Sequence, residues 1–508
     1  MKRIGIDVGG TNTDGVLLDG TRILARVKTA TTADVTSGVR AALAHVMAEA
    51  DPDGIAGVMI GTTHFTNAVI ERRGVERVAV VRIGLPAAAV LPPFTGWPAD
   101  LRRAVEGPVF LLRGGHEFDG RPIVPFDADG MRQAARAIAA SGVGSVAVCA
   151  VFSPLTTAAE EAAQAILAQE APGVAVTLSS ALGRIGLIER ENAAILNSAL
   201  HGLARRTVAA FRDAIAASGL AAPLYITQND GTVVVAEVAE RFPVLCFASG
   251  PTNSMRGAAL LSGRQDAIVV DVGGTTSDVG VLEAGFPREA NSRVDIGGVR
   301  TVFRMPDVVS IGLGGGTRVS AAPFGIGPES VGFRIREAAQ VFGGDTLTLT
   351  DIGVGLGLAA IGDPARVAGL DPALLVRCRD WIRTALEEVI DRMKTSAAPV
   401  PVLAVGGGAF LVPETLAGVS EVVKVPEAGV ANAVGAAMAQ VSGEVDRIFR
   451  DMPREEAVAR ARAIAEARAV EAGARPESLV LLDVEDLPLA YIPGDARRVR
   501  VRVVGDVQ

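Results

Sequence analysis

Three cysteines in 508 residues are too few and too scattered to staple a fold. Cys149, Cys246 and Cys378 show no metal-ligand spacing, and the first two sit in apolar runs. Buried thiols and a cytoplasmic location are the expectation. Basic residues are outnumbered, with 49 Lys+Arg against 57 Asp+Glu for a net charge of −8, and no basic stripe carries interleaved aromatics. Nucleic acid is therefore not an expected partner. No apolar run approaches the length of a membrane span, so a membrane partner is not expected either. Asp7 interrupts the apolar stretch that follows Lys2 and Arg3, which argues against a signal peptide. Histidine is scarce, with four in the chain and no Cys/His cluster.

What is present suits a globular protein: 49% hydrophobic and 21% charged residues, with length enough for two or three domains. One phrase occurs twice. The first copy runs Asp7-Val8-Gly9-Gly10-Thr11-Asn12-Thr13-Asp14, the second Asp271-Val272-Gly273-Gly274-Thr275-Thr276-Ser277-Asp278. Each follows a β-branched run and precedes another strand-like run, so each reads as strand, glycine turn, strand. A Gly-Gly turn exposes successive backbone N–H groups without Cβ obstruction, a concavity suited to anions. Threonine hydroxyls add donors, and a carboxylate at the strand end suits Mg²⁺, usually through water. An ordinary hairpin turn explains one copy about as well. Two copies with matching acids and threonines favour a phosphate clamp. A strand rather than a helix follows the glycines and no P-loop lysine is present, so neither the Rossmann fingerprint nor the P-loop applies.

Along the chain, strands Arg3–Val8, Asp14–Leu18 and Arg22–Lys28 read as a meander, followed by a helix from about Asp34 to Ala50. Helix–strand alternation then suggests a mixed sheet with helices on its faces. A second unit starts near Gly186 with the long helix Leu187–Ala217 and ends with a small-residue helix, Gly429–Val441. The remainder carries a basic helix, Arg454–Ala472, and two strands. The expected divisions are residues 1–185, 186–445 and 446–508.

With these residues in view, the chain resembles the hydantoinase A/oxoprolinase family of the actin-like ATPase superfamily. The phosphate-1 motif of that superfamily is similar to Asp7–Asp14, its phosphate-2 motif to Asp271–Asp278, and its adenosine motif to Val405–Gly408. Gly61–Arg72, Gln228–Gly231, Ser249–Pro251 and Gly312–Thr317 resemble family-specific stretches. The resemblance covers roughly residues 1 to 440. It implies an α/β fold of two RNase H-like lobes with mixed sheets around an ATP cleft, with a small α+β C-terminal tail. It also implies ATP-dependent, Mg²⁺-assisted ring opening of a cyclic amide such as a hydantoin, 5-oxoproline or a lactam, by phosphorylation of the amide oxygen. Larger members carry a B-type half that this sequence lacks, so a separate B-type subunit and an oligomer are expected. Two other activities fit the same fold: an ATP-driven reactivating or assembly factor, and a small-molecule kinase.

The candidate residues follow. Asp7 and Asp271 are the expected Mg²⁺ ligands and catalytic acids, and His64 is a candidate acid/base or substrate-binding residue. Gly9, Gly10, Thr11, Asn12 and Thr13, with Gly273, Gly274, Thr275 and Thr276, are expected at the phosphates, and Gly406, Gly407 and Gly408 at the adenosine. For Asp14 and Asp278, support of these acids and simple turn closure stand level. For Gly314–Gly316, both the cleft and the hinge stand open.

Overall fold

The computed structural model describes residues 1–9, 12–30, 35–48, 51–182, 186–290, 294–302 and 305–508. Gly10 and Thr11, both expected to face phosphate, lie outside the described residues.

The chain opens with the expected meander, β1 (Lys2–Val8), β2 (Asn12–Asp19) and β3 (Arg22–Ala30), then α1 (Val35–Val46), β4 (Ile55–Thr62) and α2 (His64–Glu71). After a helix–strand region come α3 (Leu187–Ala217), β5 (Leu224–Thr227), β6 (Val233–Val235) and α4 (Ser249–Ser262). β7 (Ala267–Val272), β8 (Ser277–Glu283), β9 (Val400–Val405) and α5 (Ala431–Met438) follow. The last described elements are β10 (Val441–Phe449), α6 (Arg454–Glu471), β11 (Val480–Pro488) and β12 (Arg497–Gly505).

Three larger sheets result. The first has nine strands in the order β11-β12-β10-β6-β5-β4-β1-β2-β3. The second is built around β8, β7 and β9 and continues to Val419–Lys424. The third consists of four parallel strands, Glu106–Arg113, Val78–Leu85, Ser145–Ala150 and Ala175–Leu178. The central two of these are apolar along almost their whole length, as strands covered on both faces must be.

Sheet membership does not follow chain order. The division expected at residue 185 falls between segments that share the first sheet, and the one at 445 falls inside β10, because β5, β6 and then β10–β12 return to that sheet. The C-terminal α+β segment thereby becomes the far flank of that sheet. Its helix α6 buries Ala457, Ala461, Ala465 and Ala469, one residue per turn, so its small-residue stripe lies on β10 while its charged residues, Arg468 apart, face outward. A Cβ at Gly443 of β10 would meet the Ala465 carbonyl oxygen at 2.1 Å, so helix and strand touch at backbone distance.

Between the two large sheets, α4 and α5 cross in contact. A Cβ at Gly257 would lie 1.8 Å from the carbonyl oxygen of Ala431, and one at Gly435 would lie 1.9 Å from that of Asn253. Only glycine fits either place. Cys149, Cys246 and Cys378 are buried free thiols. Among the described residues no helix is long and apolar enough to cross a membrane.

Candidate functional site

The two glycine turns are built alike. In the first hairpin Asp7 pairs with Asp14 and Val8 with Thr13, and Gly9 N–H donates to the Asn12 carbonyl at 3.0 Å. In the second, Asp271 pairs with Asp278 and Val272 with Ser277, and Gly273 N–H donates to the Thr276 carbonyl at 2.9 Å. Each first acid also has a glycine beside it on the neighbouring parallel strand. Asp7 is in register with Gly61 of β4, and Asp271 lies beside Gly406, the residue after β9. A Cβ at Gly61 would sit 2.4 Å from Asp7 Oδ1, and one at Gly406 would sit 2.2 Å from Asp271 Oδ1. Gly406 also has φ of +86°, a left-handed conformation that other residues rarely adopt. Both acids therefore occupy space that glycine leaves open.

Helix α4 ties the two acids together. Asn253 Nδ2 donates to Asp7 Oδ1 at 3.1 Å and lies 3.2 Å from Thr227 Oγ1, and the next residue, Ser254, hydrogen-bonds Asp271. From α5, Asn432 Nδ2 reaches Asp7 Oδ2 at 3.0 Å and Asp14 Oδ2 at 2.9 Å. Lys28 on β3, in register with Asp14, places its ammonium 2.5 Å from Asp14 Oδ1. Consecutive residues of one helix thus hold the acids of two different sheets.

Electrostatics follow from that placement. Burial pushes the Asp7 carboxyl up to about 6, with the Asp14 charge adding and the amides of Asn253 and Asn432 and Lys28 opposing. Asp271 is also pushed up to about 6, first by its dense surroundings, then by the charges of Asp278 and Asp7, against Ser254 and Lys28. Asp271 keeps some accessible surface, whereas Asp7 is only 4% exposed. Two buried acids of raised proton affinity, Asp271 raised further by the Asp7 charge, suit a divalent cation, which would favour both ionised forms. No group of three or more His, Cys, Asp or Glu side chains with metal-holding spacing occurs among the described residues. Asp7 and Asp271 could hold a Mg²⁺ ion only with water and phosphate oxygens completing its shell, as Mg²⁺ commonly is held.

Around the second turn, Thr275 and Thr276 are exposed and available as donors. The Gly312–Thr317 connector lies flat against this turn: Gly315 and Gly316 N–H donate to the carbonyls of Gly273 and Gly274 at 2.9 and 2.7 Å. A Cβ at Gly314 would stand 2.5 Å from the Thr275 carbonyl carbon, so these glycines buttress the turn; Gly315 and Gly316 spend their donors on it, while Gly314 N–H donates to Thr317 Oγ1 at 2.8 Å. Gly407 is exposed with open space over it, while Gly408 N–H donates to the Val272 carbonyl at 2.8 Å. Asn12 is half-buried at the start of β2.

Thr13 requires a correction. It is fully buried, with its hydroxyl 2.9 Å from where a Cβ on Gly38 of α1 would lie, on the face of β2 opposite to Asp14. Side chains alternate along a strand, so Thr13 and Asp14 cannot share a face. Its counterpart Ser277 is likewise buried and donates to the Leu313 carbonyl at 2.5 Å.

His64 opens α2 directly beyond β4, three residues past Gly61. It is half-buried, and burial holds its pKa below the usual value, partly opposed by Glu71, so the imidazole is neutral at pH 7. The rest of its stretch docks on the start of α4: Ala248 N–H donates to Thr66 Oγ1 and Ser249 Oγ to the Thr62 carbonyl, both at 3.3 Å. Gln228–Asp230 follows β5 at the same sheet edge, where Thr252 of α4 donates to the Gln228 carbonyl at 3.3 Å.

Sequence reasoning singled out both acids but missed Asn253, Ser254, Asn432 and Lys28. Asn253 and Ser254 stand just after Ser249-Gly250-Pro251, a stretch that resembles the family, and extending it by one helical turn reaches both.

Comparison with known proteins places these observations. The pattern described as the hydantoinase/oxoprolinase N-terminal region matches residues 3–171, and that described as hydantoinase/oxoprolinase matches residues 190–360. The acetophenone carboxylase gamma subunit of Aromatoleum aromaticum is 26% identical over 70% of this chain and 53% of its own length. The caprolactamase subunit alpha of Pseudomonas jessenii is 26% identical over 71% of this chain and 55% of its own length. The chain therefore spans about half the length of these curated relatives. In fold it matches the crystal structure of ATP-dependent caprolactamase from Pseudomonas jessenii with a TM-score of 0.80 at 20% identity, covering 100% of this chain and 88% of that one.

Proposed function

Because the chain belongs to the hydantoinase/oxoprolinase family, we propose that it couples ATP to the ring-opening hydrolysis of a small cyclic amide or imide of hydantoin, 5-oxoproline or lactam type. ATP supplies the phosphoryl group that activates the amide oxygen and leaves the carbonyl carbon open to water. The observation that carries this reading is the α4 tie, in which Asn253 and Ser254 aim one acid from each glycine turn into one site.

Each residue then has a definable task. The turn at Gly273–Thr276 offers backbone N–H groups and the exposed Thr275 and Thr276 hydroxyls to phosphate oxygens. Asp7 and Asp271 hold the Mg²⁺ water shell; Asp7 is fixed by an amide on each of its oxygens. Gly407 leaves room for the adenosine. His64, neutral at pH 7, is free to accept a proton or a hydrogen bond from the substrate side. The naming of relatives as alpha, beta and gamma subunits supports a separate B-type partner for the hydrolytic half.

Substrate-stimulated ATP turnover across hydantoins, lactams and 5-oxoproline, with and without the partner chain, tests the reading. Stimulation by at least one ring is expected. A flat response to every ring in both conditions would sink it. The carboxylase name among the relatives favours one second reading, ATP-driven carboxylation; bicarbonate-dependent ATP use in the same panel would select it.

A further inference from the structure

The second glycine turn carries a strap. Beyond the Gly312–Thr317 connector the chain returns to it: Val331 N–H donates to the Gly316 carbonyl at 2.9 Å, and Ser330 Oγ donates to the Gly274 carbonyl at 3.4 Å. Gly332 then passes the turn's first threonine. A Cβ there would stand 4.0 Å from Thr275 Oγ1, and its φ of +56° lies in the left-handed region that favours glycine. A tight turn, Gly332–Arg334, leads into the short helix Ile335–Ala338. Ile335 packs back on the connector, 3.8 Å from where a Cβ on Gly315 would lie. Arg334 therefore sits between two points that rest on the phosphate turn and its buttress.

The outer side of the strap is open. Phe333 is 70% exposed, and Arg334 and Arg336 are exposed. Among the described residues neither arginine has a carboxylate within ion-pair distance or a hydrogen bond from its guanidinium. Arg318, earlier in the same excursion, is by contrast committed to Glu329 at 2.7 Å. The charge around the two turns calls for a cation. Asp7, Asp14, Asp271 and Asp278 bring carboxylates, against which Lys28 acts on both first acids while resting on Asp14. A nucleotide polyphosphate adds more negative charge than one Mg²⁺ removes, and the N–H and hydroxyl donors of the turn are neutral. A guanidinium suits such a place, being a planar fork that stays charged and matches a pair of phosphoryl oxygens.

We propose that Arg334 is the phosphate-binding cation of this site: its guanidinium reaches past Thr275 and donates to the oxygens of the terminal phosphoryl group of ATP. The assignment rests on the ATP reading above and adds to it a residue outside both glycine turns. In the transfer, the bond between the terminal phosphorus and the ADP oxygen breaks and a bond from that phosphorus to the amide oxygen forms. Arg334 keeps its protons throughout and stabilises the charge on the phosphoryl oxygens that belong to neither bond. Arg336, beyond Ile335, stands outside that contact.

Calorimetry on the full chain with Mg·ATP and Mg·ADP tests this whatever the ring. Arg334→Gln should bind Mg·ATP about tenfold more weakly than the parent chain, the value of a charge-assisted hydrogen bond, and Mg·ADP to within about twofold. Arg334→Lys, charged but without the fork, should fall between Arg334→Gln and the parent. Arg336→Gln removes the same charge two residues on and should change both affinities by less than about twofold. Unchanged Mg·ATP affinity in Arg334→Gln, an equal loss for Mg·ADP, or an equal loss in Arg336→Gln would overturn the assignment and leave the ATP reading standing. A parent chain that binds neither nucleotide would overturn both.

Discussion

Asp7 and Asp271 hold matching positions in matching turns, yet they should answer the same substitution differently. Both oxygens of Asp7 accept from amide donors, so Asp7→Asn would set an NH₂ group against Asn253 or Asn432. A loss of about 1–3 kcal/mol in urea unfolding is expected. Asp271 faces the Ser254 hydroxyl, which donates or accepts, so Asp271→Asn should fold normally while ATP turnover falls about a hundredfold. The pH profile carries a sign. The folded pKa of Asp271 is raised from 3.8 to about 6, so its contribution is intact below pH about 4 and is lost as pH rises to about 6. Asp271→Asn should therefore gain stability relative to the parent chain across that window and hold the gain above it. A difference independent of pH would contradict the raised value. The acids were legible because glycine turns flank them. Their amide partners were not, since an asparagine in a small-residue helix looks the same whether it faces solvent or a carboxylate. Thr13 was misplaced for a different reason: with Asp7 and Asp14 in register, strand alternation alone puts Thr13 on the other face.

The crossing of α4 and α5 depends on two atoms' absence. Gly257→Ala or Gly435→Ala would bring a methyl within 2 Å of a carbonyl oxygen, which the helices relieve only by moving apart. Each change should cost about 2–3 kcal/mol of unfolding free energy and loosen the hold on both acids, lowering Mg·ATP affinity. An alanine variant with parental stability and affinity would show that the contact carries no strain. The long helices were legible almost to the residue, Leu187–Ala217 in full and Arg454–Ala472 to within one, whereas the helix expected over Gly429–Val441 is shortened to Ala431–Met438. Strand partnership was not, because periodicity tells which face of a strand is buried and says nothing of the neighbour a crossover brings to it.

At the scale of the molecule, the site belongs to neither sheet alone. Mg·ATP should slow amide exchange in both hairpins and along α4, and Asp271→Asn should remove the protection in the second hairpin first. Unchanged exchange at saturating Mg·ATP would contradict a two-sided clamp. The doubled phrase made two lobes legible, but the nine-stranded sheet was hidden, since its strands are drawn from both ends of the sequence with the whole second sheet between them.

That interleaving sets an order of birth. On the ribosome β6 is made long before β10, its neighbour, and the second sheet emerges in the interval. Until then the growing chain displays an unfinished edge to other nascent chains on the same messenger. That edge is three residues long, Val233–Val235, and in register with β10 only at Val233, too short a template to capture a foreign strand. Its brevity is the safeguard that lets the first sheet wait to be completed.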